Sequence, residues 1–139
     1  MMRSCFAALL FTGMTMCPAV AQTTPPPAAS APANEPPPAP YEQQLLRLSE
    51  ILGALAYLRE LCGDQKESSE LREQMAALID VEASTAARKA RFAGAYNKGF
   101  RGFEQTYRSC TPNAELVVTR YLGEGLSIAR EVASRYGGG

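Results

Sequence analysis

The sequence predicts an all-α protein: a small antiparallel up-down four-helix bundle closed by one disulfide, following a disordered Pro/Ala-rich tether. Three observations carry this expectation. From Tyr41 onward apolar residues recur at three- and four-residue steps, and no strand-like alternation appears. Helix-boundary signals, Cys62-Gly63 and Thr111-Pro112, punctuate that stretch. Two cysteines, Cys62 and Cys110, remain once an N-terminal export signal is set aside, and an even count in an oxidising compartment favours a bridge.

The export signal is expected over residues 1–21. Arg3 supplies a positive start, Cys5 to Met16 forms a short apolar run, Pro18 breaks it, and Ala19-Val20-Ala21 places small residues before the cut. Cleavage is expected between Ala21 and Gln22, which sends the chain to the periplasm. The run is too short for a stable membrane span. An uncleaved anchor is the weaker alternative. So is a lipid anchor at Cys17, because the bulky Met16 stands where the lipoprotein peptidase prefers a small residue. Cys5 and Cys17 leave with the signal, so Cys62 and Cys110 have only each other as intramolecular partners.

Residues 22–40 (QTTPPPAASAPANEPPPAP) lack the large apolar side chains that build a core. Their proline runs favour extended polyproline II and a semi-rigid reach of up to about 55–60 Å. They read as a spacer, with docking to a proline-reading partner as the alternative.

The helical domain is expected over residues 41–139. A first helix from 41 to 62 carries Leu45, Leu48, Leu52 and Leu55 on one stripe, widened by Ile51 and Leu58. Gly63 suits the position just past its end. A second helix begins after Gly63-Asp64, with Glu67, Glu70 and Glu73 near its positive end and Leu71, Met75, Leu78 and Ile79 on its apolar side. A single helix over 67–109 would be about 65 Å long. A disulfide needs its α-carbons within about 7 Å. The chain is therefore expected to double back, with Ser84 as the best N-cap. Helix three, about 85–109, places Phe92, Tyr96, Phe100, Phe103 and Tyr107 on one face. Gly94, Gly99 and Gly102 in the same segment suggest a close neighbour or a kink. Thr111 and Pro112 open helix four, which runs to Tyr136, with Val118, Tyr121, Leu122, Ala129, Val132 and Tyr136 facing inward.

Composition excludes several kinds of chemistry. There is no histidine, which removes the commonest general base and metal ligand. No phosphate-cradling glycine loop, no metal-ligand spacing and no catalytic set is found, so no cofactor, metal or enzymatic activity is expected. Formal charge is zero, and nothing points to nucleic acid. The charge is divided, however. Residues 41–82 hold nine acidic and four basic side chains, and residues 83–139 hold nine basic and four acidic. The plain reading lays an acidic helix two against a basic helix three. The sharper one is a cationic face for an anionic partner. The segment Tyr96-Asn97-Lys98-Gly99-Phe100-Arg101-Gly102-Phe103 alternates aromatics, cations and glycines, and it includes poor helix formers. The candidate binding surface is Asn97, Lys98, Arg101 and Arg108.

Four segments carry a resemblance: Leu61-Cys62-Gly63, the stretch 96–103, Thr106 to Pro112 (TYRSCTP) and Arg120 to Gly125 (RYLGEG). They resemble an uncharacterised alphaproteobacterial family of small exported two-cysteine proteins, over about residues 43–137. The resemblance implies the Cys62–Cys110 bond and the periplasmic address, and it implies no activity. The expected function is a non-catalytic binding or accessory protein of the cell envelope, with an envelope protein as partner. An anionic membrane or cell-wall surface met by the basic helix face is the alternative, and a carboxylate hydrolase a lesser one. The sequence sets no oligomeric state.

Overall fold

The computed structural model describes residues 35–137. The expected signal peptide with Cys5 and Cys17, the tether up to residue 34, and Gly138-Gly139 lie outside the described residues. Four helices follow in order: α1 (Glu42–Leu61), α2 (Gln65–Glu82), α3 (Ala86–Thr106) and α4 (Pro112–Tyr136). No strand occurs among the described residues.

The boundaries follow from local chemistry. Gly63 takes φ +89°, a left-handed conformation that L side chains rarely adopt, and turns the chain out of α1. Asp64 then caps α2 by accepting from the Glu67 amide at 2.9 Å. Thr111 accepts from the Ala114 amide at 3.2 Å, and Pro112 occupies the first position of α4. The cap of α3 falls one residue later than expected. Thr85, not Ser84, accepts from the Arg88 amide at 3.1 Å. A second correction concerns the end of α3. The helix stops at Thr106, three residues before the expected end, because Tyr107 turns extended. The Tyr57 hydroxyl donates to the Tyr107 carbonyl at 2.5 Å and holds it there.

The chain runs up and down as expected. Cys62 and Cys110 are bonded, with α-carbons 4.9 Å apart. That bond places the C-terminal ends of α1 and α3 together, so α2 and α4 both run opposite to α1. The arrangement is centred on α1, which packs against each of the other three helices. Residues Ile51 to Ala56 are all buried, every side of the helix included. The core gathers around them: Leu45, Leu58, Leu71, Met75, Phe92, Ala114 and Val118.

The closest packing joins α1 and α3. A β-carbon on Gly53 would lie 2.0 Å from the Tyr96 carbonyl oxygen, and one on Gly99 would lie 1.9 Å from that of Glu50. Of the three glycines expected to permit close approach, only Gly99 does so; Gly94 and Gly102 meet nothing. The α1–α2 contact is pinned by the buried Ser68 hydroxyl, which donates to the Ala56 carbonyl at 2.8 Å.

The charges also pair differently from the plain reading. Helix α3 touches α2 only slightly, and its cations turn to α1 and the preceding segment. Arg88 meets the buried Glu42 at 2.5 Å; Arg91 meets Glu42 at 3.1 Å and Glu35 at 2.7 Å; Lys98 meets Glu50 at 3.2 Å. Glu35 also accepts from the Thr85 hydroxyl at 3.1 Å, so the chain is held against the start of α3 well before α1 begins.

Candidate functional site

The segment 96–103 divides its residues between core and solvent. Gly99 is buried where α1 crosses. Phe100 meets Tyr57 edge-on at 5.3 Å, and Phe103 meets Tyr121 edge-on at 5.4 Å. The Tyr96 phenol is raised above its ordinary pKa by burial. The aromatics and the glycine therefore serve packing. Asn97, Lys98 and Arg101 face outward and are exposed. Lys98 is engaged by Glu50, whereas Arg101 has no ion pair among the described residues. Arg108 is exposed and has none either, but it lies beyond the end of α3 in the link that carries Cys110. The helical register expected to stack Arg108 above Arg101 is broken at Tyr107. The structure thus brings Asn97, Lys98 and Arg101 onto one surface and sets Arg108 apart on the link.

A second feature is an apolar groove. Helices α2 and α4 each pack on α1, but their backbones do not approach one another. The space between them is a groove of about 280 Å³. Its floor is Leu48, Ile51, Leu52 and Leu55. One wall is Leu71, Gln74 and Leu78 of α2; the other is Tyr121, Leu122, Gly125, Leu126 and Ala129 of α4. Gln74 carries the only amide in this lining, and no charged side chain takes part. Leu48 and Ala129 continue it into a second depression of about 320 Å³, which ends at Tyr41, Glu82 and Tyr136. There the Glu82 carboxylate raises the pKa of the Tyr41 phenol.

Apolar side chains stand open along this groove: Leu126 is 55% exposed and Tyr136 44%. Val81, 81% exposed, lies two turns beyond Gln74 on α2 and lines neither depression. Ala129 and Tyr136, expected to face inward, line the open groove instead. Sequence reasoning missed the groove. Its one trace there is the breadth of the α4 apolar face: Leu122, Leu126, Ala129 and Ala133 run beside Val118, Tyr121 and Val132, more than a single neighbour covers.

The α4 wall is tied to the floor by charge. Arg47 of α1 grips Glu124 of α4 with two bonds, at 2.7 and 3.1 Å, and its guanidinium lies 5.2 Å from the Tyr121 ring centre. The Arg47 hydrogen bonds hold the Glu124 carboxyl below its ordinary pKa. Arg47 also meets Glu50 at 3.4 Å, so one chain of charges runs from α4 through α1 to Lys98 on α3. Among the described residues, no group of three or more histidine, cysteine, aspartate or glutamate side chains is placed to hold a metal. No described helix is long and apolar enough to cross a membrane.

No curated protein and no solved structure matches the chain significantly. A family model described as "Protein of unknown function (DUF2385)" matches residues 40–136, which takes in all four helices and both bonded cysteines. With most of its length matched, the chain belongs to the DUF2385 family.

Proposed function

We propose that this chain is an exported, non-catalytic binding or accessory protein of the cell envelope, and that the groove between α2 and α4 is its docking surface. The observation that carries this reading is the groove's lining, which is largely apolar, free of charged groups and includes the exposed Leu126. Such a surface offers apolar burial, with the Gln74 amide and the Tyr121 phenol as its polar groups, and exposed apolar patches of this kind mark interaction sites. Export rests on the signal pattern at residues 1–21.

Two measurements test it. The mass of the protein recovered from the envelope fraction should begin at Gln22; recovery from the cytosol with residues 1–21 intact would overturn export. A photo-crosslinking residue at Leu126 of the full chain should yield a discrete protein adduct in cells, and one at Arg101 should not.

Arg101 and Arg108, exposed and without an ion pair among the described residues, support a second reading, association with an anionic membrane or wall surface. It requires salt-sensitive sedimentation of the protein with anionic vesicles, lost in the Arg101→Glu/Arg108→Glu variant.

A further inference from the structure

We propose that Glu115 guards the Cys62–Cys110 bond, repelling anionic thiols from a disulfide that the fold leaves open to solvent.

The bond is accessible from one side. Cys110 is exposed and Cys62 half-buried. Cys62 lines a depression of about 340 Å³ together with Arg59, Asp64, Glu115, Val118 and Thr119. Thr111 caps α4, and the Glu115 amide donates to the Thr111 carbonyl at 3.1 Å, which fixes Glu115 one turn into the helix. A carboxylate oxygen of Glu115 then lies 4.0 Å from the Cys110 sulfur.

The other charges of the depression are committed elsewhere. Arg59 is held by Glu67 at 3.0 Å, and Asp64 accepts from the Glu67 amide at 2.9 Å. Glu115 has no ion pair among the described residues. On the link 107–111 the only charged side chain is Arg108, of opposite sign. The carboxylate with a measured approach to the bond is that of Glu115, so it sets the field that an incoming thiolate meets.

Reduction starts when a thiolate attacks the exposed Cys110 sulfur. A new disulfide forms between the two, the Cys62–Cys110 bond breaks, and Cys62 leaves as a thiolate. A second thiolate then cleaves the mixed disulfide, so two external thiols are oxidised to one disulfide and both cysteines are reduced. The first step brings a negative sulfur beside the Glu115 carboxylate. The second leaves a negative sulfur on Cys110 in the same place. Exposed disulfides are ordinarily the labile ones. Here a fixed like charge opposes both steps, and it opposes them most for a thiol that is itself anionic.

Reduction rates of the purified protein, followed by mass under excess thiol, test this. Glutathione, with its net negative charge, is compared with cysteamine, whose ammonium offsets its thiolate. Glu115→Gln should speed reduction by glutathione about fivefold at low salt, the effect of one charge at about 4 Å in water. It should leave the cysteamine rate nearly unchanged. In 1 M potassium chloride, where screening acts over about 3 Å, the difference between variant and parent should close. Glu131→Gln, sixteen residues further along α4, should change neither rate. Equal glutathione rates in the parent and Glu115→Gln overturn the proposal. Equal acceleration by both thiols also overturns it, because looser packing around the bond admits either reagent alike. Glutathione reduction of the parent that slows with added salt overturns it as well, since Arg108 and not Glu115 would then govern the approach.

Discussion

Gly53 of α1 and Gly99 of α3 form one crossing point, each lying where the other helix's backbone passes. A methyl group at Gly53 would overlap the Tyr96 carbonyl, and one at Gly99 the Glu50 carbonyl. Backbone cannot yield as a flexible side chain does. Gly53→Ala and Gly99→Ala should each cost about 3 kcal/mol, the upper end of ordinary overpacking. Gly94→Ala and Gly102→Ala meet open space and should instead stabilise by up to about 1 kcal/mol through helix propensity. In a domain of this size 1 kcal/mol moves the melting temperature by about 4–8 °C, so a thermal scan of the four variants separates them by sign. Equal effects at all four positions would contradict the crossing.

Glu42 offers a second contrast. Its carboxylate is nearly enclosed, and so is its partner Arg88, while the Glu60–Arg72 pair is exposed. Removing one member of an enclosed pair strands the other charge out of water. Glu42→Gln should therefore cost about 3 kcal/mol. Glu60→Gln should cost less than about 1 kcal/mol. Denaturant midpoints at neutral pH check both values.

The Cys62–Cys110 bond closes a loop with a sequence separation of 48. Chain entropy alone assigns such a loop about 4 kcal/mol. Cys62→Ser/Cys110→Ser should lower stability by that order and loosen the Tyr107–Thr111 link first. The Tyr57 hydroxyl bond to Tyr107 and the Asn113 bond to the Tyr107 hydroxyl both hold that link. Amide hydrogen exchange at residues 107–111 should rise before exchange in α1. Uniform loss of protection across all four helices would show instead that the bond supports the whole fold at once.

Acid should weaken the molecule through two carboxylates. Arg91 holds Glu35, and Arg47 holds Glu124, below the ordinary value of 4.5. The folded state thus binds these protons less readily than the unfolded chain. The stabilisation is fully present above about pH 4.5 and is lost as pH falls through the depressed folded values. Glu124→Gln should lower stability at neutral pH by less than about 1 kcal/mol, because the pair is partly exposed. It should also flatten the fall in melting temperature below pH 4.5. An unchanged acid limb in this variant would refute the assignment.

What the sequence determined by itself is local. Apolar periodicity, Gly63, Asp64 and the Thr111-Pro112 pair mark helix ends through chemistry that acts within one turn, so three of the four helices were legible almost to the residue. The single disulfide required the doubling back near residue 84, and the aromatic stripe of α3 was legible as core. The tertiary structure decided what depends on neighbours distant in sequence. Asn97, Lys98, Arg101 and Arg108 share a helical stripe on paper, but Tyr57, fifty residues from Tyr107, ends the helix before Arg108. The cations of α3 find Glu42, Glu50 and Glu35, because α1 and not α2 lies beside them. The groove exists because α2 and α4 both settle on α1 without meeting each other, a consequence of three-body packing around one enclosed helix. Periodicity reports that a face is apolar; only packing decides whether that face is covered, and by which neighbour.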